Sequence, residues 1–271
     1  MLNRVVNVLK LVKTLFISAL FFLQSFQMNH QEQEDQAAKE RNRSNAAAYN
    51  TQLGLSYLKQ GDRPRAKRKL FAALKQEPNS AAVNTAIAYY FEETGEIDEA
   101  KSYYLKALSL APGSGAQLNN YGTFLCRQGK YVESINYFLK AVKDQQYVHT
   151  AGAYENAGLC AAEIPDYDKS ILYFTKALEQ DPERKQSFYE LVKIEKKLGN
   201  EKKVLDLIEK YSRFSADPAV LVLAEKIAHK LGDARLQEKY AKKLELIQQR
   251  QRYRQYSDNS GVKNEYNSHN G

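Results

Sequence analysis

Small side chains recur along this 271-residue chain at a near-constant interval: Gly54, Ala88 and Gly122 stand 34 apart, and Gly158 follows after 36. Each comes directly after an apolar residue or a tyrosine: Leu53, Ile87, Tyr121 and Ala157. Twelve positions further on lies a second small residue (Ala66, Ala100, Ser134, Ser170), and seven beyond that a third (Ala73, Ala107, Ala141, Ala177). A fixed period of this length means one supersecondary unit, repeated because it cannot bury its apolar face alone. Small residues on two antiparallel helices let their axes approach. Bulky ones between them, such as Tyr57 with Leu70, Phe91 with Tyr104 and Leu125 with Phe138, fill the seam, as does Phe174 in the fourth unit. Gly61, Gly95 and Gly129 fall where each hairpin turns, and a left-handed residue ends a helix there most easily. Pro78, Pro112 and Pro182 close three of the units, because the residue before a proline is pushed out of helical conformation.

The pattern resembles the tetratricopeptide repeat, a 34-residue helix-turn-helix unit stacked into a superhelix. It covers residues 47–80, 81–114, 115–148 and 151–184. Two weaker units follow, 185–217 with Leu191, Gly199 and Ile208, and 218–249 with Ala224, Gly232 and Ala241. Ala, Leu, Lys, Glu and Gln dominate the middle of the chain, and Gly and Pro are scarce, which favours helix. The expected fold is all-α, a tetratricopeptide-repeat superhelix of about six helix-turn-helix units over residues 46–249.

The two ends read differently. Residues 1–28 begin with Arg4, Lys10 and Lys13 and continue into LFISALFFLQSF, the layout of a signal sequence or an uncleaved signal anchor. Residues 29–45 read as a polar linker and residues 250–271 as a disordered tail. The ends hold five of the net +8 charges, so residues 31–249 sum to only +3. With no basic stripe interleaved with stacking aromatics, nucleic acid is not an expected partner.

The scaffold leaves some residues unexplained. Asn119, Asn120, Thr123 and Arg127 lie on the first helix of the third unit, on or beside the side that such superhelices turn toward a concave groove. Asn156 matches Asn120 in the fourth unit, with Glu155 and Leu159 beside it. An amide there suits the backbone of an extended peptide, since it offers a donor and an acceptor together. The competing reading is that the asparagines cap or cross-brace helices. Gln146 stands where the third unit should close with proline, within KDQQYVHTAG. That longer connection re-aims the fourth unit, displays Tyr147 and His149 to a partner, or is a bland surface insertion. Cys126 and Cys160 sit at offsets of four and two from Gly122 and Gly158, so neighbouring first helices could bring them into a disulfide. Otherwise they are two buried small hydrophobes. No phosphate loop, nucleophile elbow or metal-spaced histidine pair is present, so neither catalytic nor metal residues are assigned and no cofactor is expected. Asp98, Glu99, Glu133 and Asp168 stand near the starts of second helices, where the helix dipole favours them.

Across residues 46–248 the chain resembles the PilF/PilW family of type IV pilus biogenesis and stability proteins, the pilotins of the outer-membrane secretin. The stretches YNTQLGLSYLKQGD, LNNYGTFLCRQGKY with SINYFLKA, and AYENAGLCA carry the resemblance. It implies a non-enzymatic, periplasm-facing protein that binds secretin subunits and promotes their localisation and multimerisation. The alternative is a general periplasmic adaptor for another envelope or division protein, using the same groove. Members are typically lipoproteins held at the outer membrane, whereas no cysteine precedes Cys126 here. An inner-membrane signal anchor through the N-terminal apolar segment therefore stands beside outer-membrane attachment.

Overall fold

A computed structural model describes residues 2–259, with side chains for residues 30–256. It falls into two compact units, Met1–Pro112 and Gly113–Gly271. Among the described residues there are helices and turns and no strand.

The first unit holds α1 (Leu2–Lys59), α2 (Arg63–Gln76), α3 (Ala81–Thr94) and α4 (Ile97–Leu110), paired as two hairpins. Gly54 shows why the period demands small residues: a Cβ built there would lie 2.6 Å from Leu70 Cγ. Leu58, Ala66, Leu70, Ile87 and Tyr90 form the core that this close approach seals. Gly61 and Gly95 take φ of 78° and 86°, ending α1 and α3 in the left-handed conformation that the sequence pattern requires. Asp62 and Ser80 cap α2 and α3 by accepting from the N–H groups of Arg65 and Val83.

The second unit holds α5 (Gly115–Arg127), α6 (Tyr131–Ala141), α7 (Thr150–Glu163), α8 (Tyr167–Gln180), α9 (Lys185–Lys197), α10 (Glu201–Lys210), α11 (Pro218–Lys230) and α12 (Ala234–Asn259). These make four more hairpins, and a short 3-10 turn at Ser212–Ala216 precedes α11. The described residues thus contain six hairpins, as the repeat pattern predicts. A Cβ on Gly122 would meet the Phe138 ring at 2.9 Å and one on Gly158 the Phe174 ring at 2.8 Å. Ser134 and Ser170, counted above only as small, also act as clamps. Their Oγ–H groups donate to the carbonyls of Gly122 (2.7 Å) and Gly158 (2.8 Å), and both side chains are fully buried. Phe188, Leu191, Leu205, Ile208, Leu221 and Tyr240 close the core of the last two hairpins, which the weaker sequence pattern marks less clearly.

Two boundaries differ from the sequence reading. The polar stretch at 30–45 is not a separate linker: α1 runs through it without a break, fully exposed. Its Gln, Glu, Ala, Lys and Arg are strong helix formers, and no Gly or Pro interrupts them. Helix α12 likewise passes Arg250, where the tail was placed, and ends at Asn259. The side chains of the signal or anchor segment, and residues 260–271, lie outside the described residues. Among the described residues no helix is long and apolar enough to cross a membrane.

Candidate functional site

Helices α5 and α7 carry the residues that the repeat leaves over, and their geometry separates braces from groups with spare hydrogen-bonding capacity. Asn156 Nδ2 donates to Asn119 Oδ1 at 3.1 Å, so these two amides tie α7 to α5. Thr123 Oγ donates back to the Asn119 carbonyl at 2.9 Å, the usual resting bond of a helical threonine. Asn120 is half-buried, and among the described residues its side chain makes no hydrogen bond. Arg127 is exposed in the last turn of α5.

Glu155 and Leu159, the other two residues assigned to the groove on α7, both make structural contacts. Glu155 is only 9% exposed. Its Oε1 accepts from Arg184 Nη1 at 3.0 Å, and its Oε2 accepts from both the backbone N–H (3.1 Å) and the hydroxyl (2.7 Å) of Ser187. Both carboxylate oxygens are therefore used in joining α7 to the start of α9. Leu159 is half-buried and packs against the core of the last hairpins. Neither role could be read from the repeat, because the partners lie in the following unit.

Cys126 and Cys160 are joined by a disulfide, with Cα atoms 6.0 Å apart, linking α5 to α7. Cys160 is buried, and Ser134 Oγ lies 3.5 Å from its sulfur. The bridge closes a loop spanning 34 positions, for which the chain-entropy model gives about 3–4 kcal/mol of stabilisation. Reduction, or a Cys126→Ser and Cys160→Ser double variant, is expected to lower unfolding stability by about that amount. Urea melts with and without reductant measure it, and coincident curves would show that the bridge carries no weight.

The long connection after α6 is also tied down. Asp144 Oδ2 accepts from the Gly115 N–H at 2.7 Å, and this bond together with the Gln146 N–H holds its carboxyl below the usual range. Tyr147 tucks against α5 so closely that a Cβ on Gly115 would come within 2.5 Å of it. Tyr147 is thus not displayed, while His149 is exposed, its ring 5.9 Å from that of Tyr147 in edge-on contact.

A feature that the sequence reading missed lies on α9 and α11. Tyr189, Glu190, Val192, Lys193, Lys196, Lys197 and Leu223 surround an open concavity of about 550 Å³, with Lys193 Nζ paired to Glu190 Oε2 at 3.0 Å. Burial pushes the Tyr189 phenol up to about 12, aided by the hydrogen bond it donates to Asp217. That bond in turn holds the Asp217 carboxyl below its ordinary value. The concavity thus joins apolar groups (Tyr189, Val192, Leu223) to a rim of mixed charge, in which Glu190 answers Lys193 and Lys197 donates to the Tyr167 hydroxyl at 2.6 Å. Spacing of α9 lysines at i, i+3 and i+4 was the available signal, but helix surfaces commonly carry such lysines. Among the described residues no group of three or more His, Cys, Asp or Glu side chains is placed to hold a metal ion.

The family model described as tetratricopeptide repeat matches residues 51–115 and 125–185. The six hairpins of the described residues carry the packing of tetratricopeptide repeats, a fold that serves protein interaction. Among solved structures it is similar to PilF of Pseudomonas aeruginosa, at 28% identity and a TM-score of 0.59, over 76% of this chain and 93% of that one. It is similar to PilW, described as a widely conserved type IV pilus biogenesis factor, at 28% identity and a TM-score of 0.58, over 74% and 92%. The resemblance read from Asn-Asn-Tyr-Gly and its companion stretches therefore stands. MamA from Desulfovibrio magneticus RS-1, at 20% identity and a TM-score of 0.50 over 62% and 94%, shares the fold. A comparison with curated protein sequences finds no match.

Proposed function

We propose that this chain is a type IV pilus assembly factor, a pilotin that binds secretin subunits and promotes their localisation and multimerisation without catalysing a reaction. The observation that supports the reading is the similarity to PilW at 28% identity over 92% of that solved chain. In this reading the apolar N-terminal segment holds the chain to a membrane and the repeats face the periplasm, where a Cys126–Cys160 bridge persists. Thiol titration of unfolded, unreduced protein isolated from cells checks the compartment, and two reactive thiols would count against it.

Affinity capture from native membranes tests the partner. Secretin monomer should be retained by the full-length protein. Asn120→Ala is expected to weaken that capture by about 1–3 kcal/mol, because a backbone group of the partner is left unpaired, with melting unchanged. Asn156→Ala should lower melting by roughly 1 kcal/mol instead, since it breaks the amide bridge to Asn119. If both variants only change melting, the asparagines are braces and the binding assignment fails. Retention of a different envelope or division protein, with no secretin, would make the chain a general adaptor.

A further inference from the structure

Among the described second helices α2 alone carries no carboxylate; α12 shares the absence of an acid in its first turn but holds Glu238 and Glu245 further along. The first turns of α4, α6, α8 and α10 carry Asp98 and Glu99, Glu133, Asp168 and Glu201 respectively, where carboxylates favour the positive end of the helix dipole. The first turn of α2 carries no acid and places Arg63 and Arg65 there, against the dipole. The whole helix holds six cations, namely Arg63, Arg65, Lys67, Arg68, Lys69 and Lys75, and no carboxylate. The charge sum of +3 over residues 31–249 conceals this concentration.

Only part of that charge is answered within the fold. Arg65 pairs with Asp62 at 2.5 Å and lies 4.9 Å over the Tyr57 ring. Arg63 Nη2 donates to the Glu93 carbonyl at 3.2 Å. Arg68, Lys69 and Lys75 make no ion pair among the described residues, and Lys67, Arg68 and Lys75 are exposed. We propose that the outward face of α2 is a docking surface for an extended acidic protein segment.

Charge complementarity names the chemistry, and the shape of the face selects a peptide. At about 100° per residue, Lys67 and Lys69 point roughly 200° apart around the axis, so the cations wrap a ridge rather than lie in one plane. A flexible acidic chain can follow such a ridge, whereas a flat bilayer meets only its crest. The aromatic and aliphatic groups of the helix, Phe71 and Leu74, are drawn into the core of the first unit. Both are partly buried there, and Lys67 Nζ lies 5.8 Å over the Phe71 ring, which leaves little apolar surface to insert among lipid chains or to stack a base. The three arginines suit carboxylates, whose two oxygens match the planar guanidinium fork. This surface is built from other residues than those of α5 and α7, and it does not depend on the secretin reading.

The test uses the purified full chain and a fluorescein-labelled, glutamate-rich peptide of about twelve residues at low ionic strength. Anisotropy should report binding that fades with added salt. A Lys67→Gln, Arg68→Gln, Lys75→Gln variant should bind at least about tenfold more weakly, with unchanged melting because all three side chains are exposed. The control variant, Lys202→Gln, Lys210→Gln, Lys226→Gln, has the same net charge and should bind like the unaltered chain. Equal weakening in both variants would reduce the effect to net charge and overturn the proposal, as would absence of peptide binding at low salt. If the α2 variant keeps the peptide and instead loses phosphatidylglycerol vesicles relative to the control, the face is a membrane surface and the proposal is wrong.

Discussion

Cells lacking this chain are expected to lose most of their heat-resistant secretin multimers and surface pili while the secretin monomer remains detectable. On the pilotin proposal the reason is mass action: a membrane-held scaffold that bound each subunit would keep it in one place and raise its effective concentration toward other subunits. Losing about 1.4 kcal/mol of that assistance shifts assembly about tenfold, so a fall of tenfold or more in multimer is a reasonable scale. Immunoblots of unheated envelope fractions read multimer and monomer in the same lane. A complemented strain separates the effect from neighbouring genes. Normal multimer levels in a clean deletion would end the pilotin proposal, whatever the capture experiments retain.

The largest effect of a single substitution is expected at Glu155. In Glu155→Ala the guanidinium of Arg184 loses the carboxylate at 3.0 Å, and the buried Ser187 N–H and hydroxyl lose their acceptor together. The two Ser187 donors stay desolvated and unanswered, while Arg184 is partly exposed and keeps Asp181 Oδ2 3.3 Å from its Nε, so the loss is about 3 kcal/mol. For a chain of this size that is a melting shift on the order of 10 °C. Glu155→Gln, which keeps the shape and an acceptor oxygen, should lose less. The sequence reading put Glu155 in the binding groove, and the two views make opposite forecasts. A variant that melts normally but fails to bind secretin would restore the groove assignment.

The contrast between Gly54 and Glu155 shows what was legible. Gly54, Gly122 and Gly158 pack against residues sixteen positions later in the same hairpin, Leu70, Phe138 and Phe174. A contact repeated at a fixed offset leaves a periodic trace in one sequence. Glu155 is satisfied by residues 29 and 32 positions away in the next hairpin, and that pairing occurs in no other unit. The hydroxyls of Ser134 and Ser170 were hidden for a related reason: the period asks only for small volume, which Ala66 and Ala100 supply equally well.

The helical hairpin, its turn glycines, its small-to-large seams and the count of six units follow from the sequence alone, because each rests on local spacing and on volume. Tertiary structure decided which leftover polar groups are braces and which remain open: Glu155 and Asn156 are used between helices, and Asn120 is not. It also decided that Tyr147 closes onto α5 and that the exposed polar stretch at 30–45 continues α1. Hydrogen bonding and burial depend on which neighbouring helix a side chain meets, and residue type at a given spacing does not specify that partner.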